Sequence, residues 1–114
     1  MPHIIVEYSD NLPVDINVQS LVENLHDTLA GEGVDKSRIK TRAIKVVEYS
    51  VGDKGKAGAM VHLTLLLLEG RDIPTKQQYG QALHKVVCEQ VKAIVPGCAV
   101  TLEVRDMVSD SYIL

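Results

Sequence analysis

Met60-Val61-His62-Leu63-Thr64-Leu65-Leu66-Leu67-Leu68 is nearly continuous in apolar residues, broken only by His62 and Thr64. A run this short and this aliphatic reads as a strand buried on both faces. It falls far short of the roughly 18 residues that a membrane span requires. Downstream, Tyr79, Ala82, Leu83, Val86, Val87, Val91 and Ile94 recur at helical spacing, with Pro74 and Thr75 near the start and Pro96-Gly97 past the end. Ala99–Met107 then reads as a second strand. The same order occurs earlier in the chain. His3–Tyr8 reads as a strand. Val18, Leu21, Val22, Leu25 and Leu29 form a helical stripe capped by Asn17 or Asp15 and closed by Gly31 and Gly33. Ile39–Tyr49 reads as the next strand.

The chain is therefore read as β-α-β twice, in halves of about 2–50 and 59–114 within a single domain. Sliding the sequence along itself until Pro2 falls on Met60 also sets Leu25-His26 on Leu83-His84, Leu29 on Val87 and Ile44 on Leu102. The Gly- and Lys-rich linker Ser50–Ala59 reads as a hairpin or loop. Each half supplies a parallel strand pair with a right-handed crossover. The fold class is α+β: one four-stranded mixed sheet with two helices on one face. Nothing in the chain is left to cover the other face. An exposed apolar sheet face would exceed several hundred Å², so a closed symmetric oligomer is expected, with the number of subunits left open.

Composition agrees with this reading. Val, Ile and Leu supply 36 of the 114 residues, whereas the aromatic set is four Tyr with no Phe or Trp. The core must be aliphatic, without the large rings that help a small monomer stand alone. A net charge of −3 without a basic stripe argues against a nucleic-acid partner. The N-terminus carries no signal-like segment and no stretch suits a membrane, so a cytoplasmic location is expected. Cys88 and Cys98 lack metal-site spacing and read as inert reduced thiols. His3, His26, His62 and His84 share no ligand spacing, so no metal is expected.

Two features suggest chemistry. Pro2 is small enough for the initiator methionine to be removed, leaving a secondary amine at the start of a buried strand. Desolvation and neighbouring cations would lower its pKa, and a neutral amine near pH 7 is a competent general base. Arg71 follows a buried strand on the loop before a helix, where ligand sites gather in α/β sheets, and its planar fork suits a carboxylate. Lys40 and Arg42 alternate on one face of their strand and make a second basic feature.

Pro-His-Ile-Ile-Val-Glu-Tyr-Ser-Asp-Asn at Pro2–Asn11 closely resembles the start of the 5-carboxymethyl-2-hydroxymuconate isomerases, members of the tautomerase superfamily. Arg38-Ile39-Lys40-Thr41-Arg42, Val61-His62-Leu63-Thr64-Leu65 and Gly70-Arg71 with Gln77-Gln78 fall at positions expected for that family. Leu68-Glu69-Gly70-Arg71 also resembles the equivalent loop of the short 4-oxalocrotonate tautomerases. The resemblance extends from Pro2 to about Met107. It implies a homotrimer with sheets lining a central barrel, no cofactor, and Pro2 as the catalytic base acting on a small anionic dienol of aromatic catabolism. Arg71, Arg42 and Lys40 would bind the substrate's carboxylates and its developing oxyanion. Lys40 stands where relatives carry arginine, keeping the charge but losing the bidentate fork. Met60 would occupy the slot of Pro2 in the second half, leaving one base per subunit. Alternative readings are another proline-based tautomerase or dehalogenase-like enzyme, and a binding protein of the macrophage migration inhibitory factor type.

Overall fold

The computed structural model describes residues 1–114. In chain order they form β1 (His3–Ser9), α1 (Val18–Gly31), β2 (Lys40–Val46), β3 (Met60–Leu68), α2 (Ile73–Val91) and β4 (Ala99–Met107). Short 3-10 turns lie at Lys36–Arg38, Gly52–Ala57 and Ser109–Ser111. The sheet order is β2-β1-β3-β4. β1 runs parallel to β2 and β3 parallel to β4, while β1 and β3 meet antiparallel at the centre. Two parallel strand-helix-strand pairs thus join back to back in one mixed sheet.

Strand alternation decides what each face carries. Ile4 lies beside Leu65 and Val6 beside Leu63, and these continue in register to Val104 and Leu102 on β4. Ile4, Val6, Val61, Leu63, Leu65 and Leu67 are completely buried, in one cluster with Leu21, Leu25 and Leu29 of α1 and Leu83, Val87 and Val91 of α2. Both helices therefore pack on this face. Asn17, and not Asp15, caps α1: its side chain accepts from the Ser20 amide at 2.9 Å. Asp72 does the same for α2 through the Thr75 amide, also at 2.9 Å.

The opposite face is left uncovered within the chain, as expected. β3 alternates strictly between buried and half-buried residues. This face mixes apolar Ile5, Ile44, Met60, Leu66, Leu68 and Met107 with His3, Glu7, Lys40, Arg42, His62, Thr64, Thr101, Glu103 and Arg105. The polar breaks in the leucine run, His62 and Thr64, fall in phase on the uncovered side. β2 is shorter than the Ile39–Tyr49 segment. Its partner β1 ends at Ser9, opposite Val46. Beyond that point Lys56 Nζ donates to the Val47 carbonyl at 2.7 Å, and Tyr49 donates to Asp10 at 2.8 Å.

The offset between halves needs a correction too. The Pro2 carbonyl accepts from the Lys40 amide at 3.0 Å, and the Ala59 carbonyl from the Ala99 amide at 2.9 Å. Pro2 therefore corresponds to Ala59, just short of Met60, and Lys40 to Ala99, just past Cys98. Only the helices keep the offset that sets Pro2 on Met60, with His26 matching His84. His26 bonds Thr41 at 2.8 Å and His84 bonds the Val100 carbonyl at 3.1 Å, at corresponding positions of the following strand. A single uniform offset puts the first strands and the second strands each one position out of phase, and one position turns a strand side chain to the other face. Ala59, not Met60, thus occupies the slot of Pro2.

Candidate active site

β1 and β2 begin, and β3 ends, at the same end of the sheet. There a cavity of about 290 Å³ is lined by Met1, Pro2, Val34, Asp35, Arg38, Leu68 and Arg71. Pro2 is buried at the head of β1. Its carbonyl opens the ladder to β2, which ties the proline to the sheet.

Arg71 is delivered from the opposite direction. Gly70 turns the chain out of β3 with φ +122°, a left-handed conformation that costs glycine nothing and strains other residues. Asp72 then starts α2, and the Arg71 guanidinium lies 5.9 Å from the centre of the Tyr79 ring, within cation–π range. A planar cation held against a ring is oriented for bidentate carboxylate recognition.

Arg38 completes the cationic lining, and sequence reasoning had not selected it. It closes the turn Lys36–Arg38, which Asp35 caps through the Ser37 amide at 3.1 Å and hydroxyl at 2.8 Å. Those bonds hold the Asp35 carboxyl below its ordinary range. Asp35 is the sole carboxylate lining the cavity, against Arg38 and Arg71, so the site favours anions. The cluster of four cations in Lys36–Arg42 was the available signal, but strand alternation directed attention to Lys40 and Arg42.

Lys40 stands at the margin. Its Nζ donates to the Arg38 carbonyl at 3.1 Å, and the same oxygen accepts from the Met1 amine at 2.9 Å. Partial burial first, and then Lys40 and Arg38, push the Met1 amine below its ordinary value. Arg42 is not brought to the cavity wall. It lies on the open sheet face, where its Nη1 donates to His3 Nδ1 at 3.0 Å. The structure therefore joins Pro2 with Arg71 and adds Arg38, sets Lys40 beside them, and engages Arg42 through His3, the immediate neighbour of Pro2.

Nothing comparable exists at the opposite end of the sheet, where Ala59, Gly97, Ala99 and Thr101 stand at the positions of Pro2, Arg38, Lys40 and Arg42. A larger groove of about 940 Å³ runs between α2 and β4, but its lining mixes Lys76, Lys85 and Glu103 and holds no convergent cations. No cluster of three or more His, Cys, Asp or Glu residues is placed to hold a metal ion. Both cysteines are free, and burial raises the Cys98 thiol above its ordinary value.

The family model for 5-carboxymethyl-2-hydroxymuconate isomerase matches residues 2–112. The 5-carboxymethyl-2-hydroxymuconate Delta-isomerase of Escherichia coli is 29% identical over 110 residues, spanning 94% of this chain and 87% of that protein. A crystal structure of a 5-carboxymethyl-2-hydroxymuconate isomerase from Deinococcus radiodurans R1 matches with a TM-score of 0.90 at 27% identity, over 99% of this chain and 87% of that one. A fused 4-OT wild-type protein solved as a symmetric trimer shares the fold, with a TM-score of 0.75 at 17% identity, over 98% and 90% of the two chains. With the tautomerase-like sheet in place and the match running nearly end to end, the chain belongs to the 5-carboxymethyl-2-hydroxymuconate isomerase family, a family of isomerases.

Proposed function

We propose that the protein is a cofactor-independent isomerase of an anionic dienol resembling 5-carboxymethyl-2-hydroxymuconate, with Pro2 as the base and a homotrimer as the working form. The observation that carries this reading is the convergence of buried Pro2 with Arg71 and Arg38 on one small cavity. While Met1 is attached, the Pro2 nitrogen is an amide whose lone pair is delocalised and not basic. Removal of Met1 frees a secondary amine among Arg38, Lys40 and Arg71. Burial and those cations favour its neutral form, which can accept a proton near pH 7.

The amine takes the proton of the dienol hydroxyl. The O–H pair becomes part of a carbonyl, the double bonds shift by one position, and the distal carbon recovers a proton from the prolinium. No atoms or electrons are gained or lost. Arg71 supplies the fork for a carboxylate, and Arg38 restores the bidentate geometry that lysine at position 40 cannot provide. Lys40 and Arg38 lie close enough to the amine to stabilise negative charge on the oxygen as the proton leaves. The open sheet face and the symmetric trimer of the fold relative support self-association.

The test joins intact-mass measurement with kinetics on a dicarboxylate dienol and on phenylenolpyruvate. Active protein should lack Met1. Pro2→Ala should lower kcat/KM about a hundredfold, the range of a lost general base, with assembly unchanged. Arg71→Ala and Arg38→Ala should raise KM. Activity with Met1 retained, or full activity in both Pro2→Ala and Arg71→Ala, would overturn the assignment.

A further inference from the structure

Asp35 is the one carboxylate among the residues that line the Pro2 cavity, and its two oxygens face different groups. Oδ1 accepts from the Ser37 hydroxyl at 2.8 Å and from the Ser37 amide at 3.1 Å, which caps the turn Lys36–Arg38. Oδ2 faces Arg38 Nε at 3.7 Å. That separation is an ionic contact beyond hydrogen-bond range, so it offsets charge without occupying the guanidinium's N–H groups.

The fold does not need this charge. The Arg38 and Asp35 side chains are 63% and 62% exposed, and ion pairs so open to water add little to stability. The turn needs only an acceptor oxygen at position 35, which asparagine supplies as well as aspartate does. What the charge changes is the potential of the cavity. Arg38 and Arg71 bring two positive charges to the lining, with Lys40 at its margin, and Asp35 offsets one of them. The Ser37 hydroxyl, followed by the Ser37 amide, holds the carboxyl below its ordinary range and keeps it ionised at neutral pH.

We propose that Asp35 is a specificity-determining residue: its carboxylate limits how strongly the cavity favours a dianionic acid over a monoanionic acid of the same skeleton. The inference rests on the reading of this cavity as the dienol site. Each carboxylate of a bound ligand is repelled by Asp35, so the effect grows with the charge of the ligand. A residue that only capped the turn would act on both acids alike.

The experiment uses Met1-processed full-length protein and its Asp35→Asn variant, which keeps an acceptor for Ser37 and loses the charge. The probes are trans,trans-hexa-2,4-dienedioate and trans,trans-hexa-2,4-dienoate, one skeleton with and without the second carboxylate, titrated by calorimetry. Asp35→Asn should tighten the dienoate about threefold and the dienedioate about tenfold, as removal of a unit charge a few ångströms from one or two carboxylates does in water-exposed surroundings. Both gains should shrink between about 0.1 and 1 M sodium chloride, as the screening length falls from about 10 Å to about 3 Å. Unchanged affinities, an equal change in both acids, weakening of either, or a gain indifferent to salt overturns the proposal and leaves the dienol-site reading standing. If the parent protein binds neither acid, or Arg71→Ala binds both as tightly as the parent, the dienol-site reading itself fails, and this inference fails with it.

Discussion

Pro2 and His3 are neighbours in the chain with different duties, because a strand turns consecutive side chains to opposite sides. Pro2 enters the cavity with Arg71, while His3 joins Arg42 and Tyr112 on the open face. His3 also makes a pH prediction. Its pKa lies below the ordinary 6.5, so the fold favours the neutral ring. Stability from this group is whole above 6.5 and declines as pH falls from there through the lowered value, because the unfolded chain takes up the proton first. His3→Gln should therefore lose less stability than the parent in urea titrations between about pH 7.5 and 5.5. Equal losses in the two proteins would refute the linkage. Pro2 and Arg71 were legible in the sequence, since a penultimate proline before a strand and an arginine after one are local patterns. Arg38 was not. Its place depends on the Asp35-capped turn, which carries it out of the strand alternation that singled out Lys40 and Arg42.

At the scale of elements, helical periodicity and cap chemistry were sufficient to locate α1, and the structure chose between two caps. Asn17→Ala should cost about 1 kcal/mol, as loss of an N-cap side chain does, whereas Asp15→Ala, at an exposed position outside the helix, should change stability little. Urea midpoints for the pair check this, and equal effects would contradict the cap assignment. The strands were found readily, yet their phase was misread. Met60–Leu68 looks apolar throughout, and a uniform offset between the halves pairs it plausibly with β1. The ladder instead aligns Pro2 with Ala59 and Lys40 with Ala99, with a longer path through the second half. Hydrophobic residues on both sides of a strand carry little phase information, whereas a backbone hydrogen bond carries it unambiguously.

For the molecule as a whole, only 20 of 114 residues are buried, and the Cα radius of gyration is 14.5 Å with extents of 41 × 25 × 25 Å. A compact chain of this length has a radius of about 13 Å, so the single chain is elongated, as suits a subunit with one sheet face uncovered. Light scattering should give the mass of three chains for the proposed trimer. Leu66→Glu, placing a charge beside Ile5 and His3 on the open face, should shift the protein toward monomer while its buried helix-facing core remains intact. A monomeric parent protein would remove the case for that face as an interface. The sequence by itself determined the number and order of elements and the aliphatic core, and singled out Pro2 and Arg71 as candidates, because periodicity, capping and turn residues act within a few positions of one another. Only the tertiary structure decided the phase of the strands, the mixed polar and apolar make-up of the open face, the entry of Arg38 and the Arg42–His3–Tyr112 chain. Those depend on hydrogen bonds between residues as much as 109 positions apart, which no local pattern encodes.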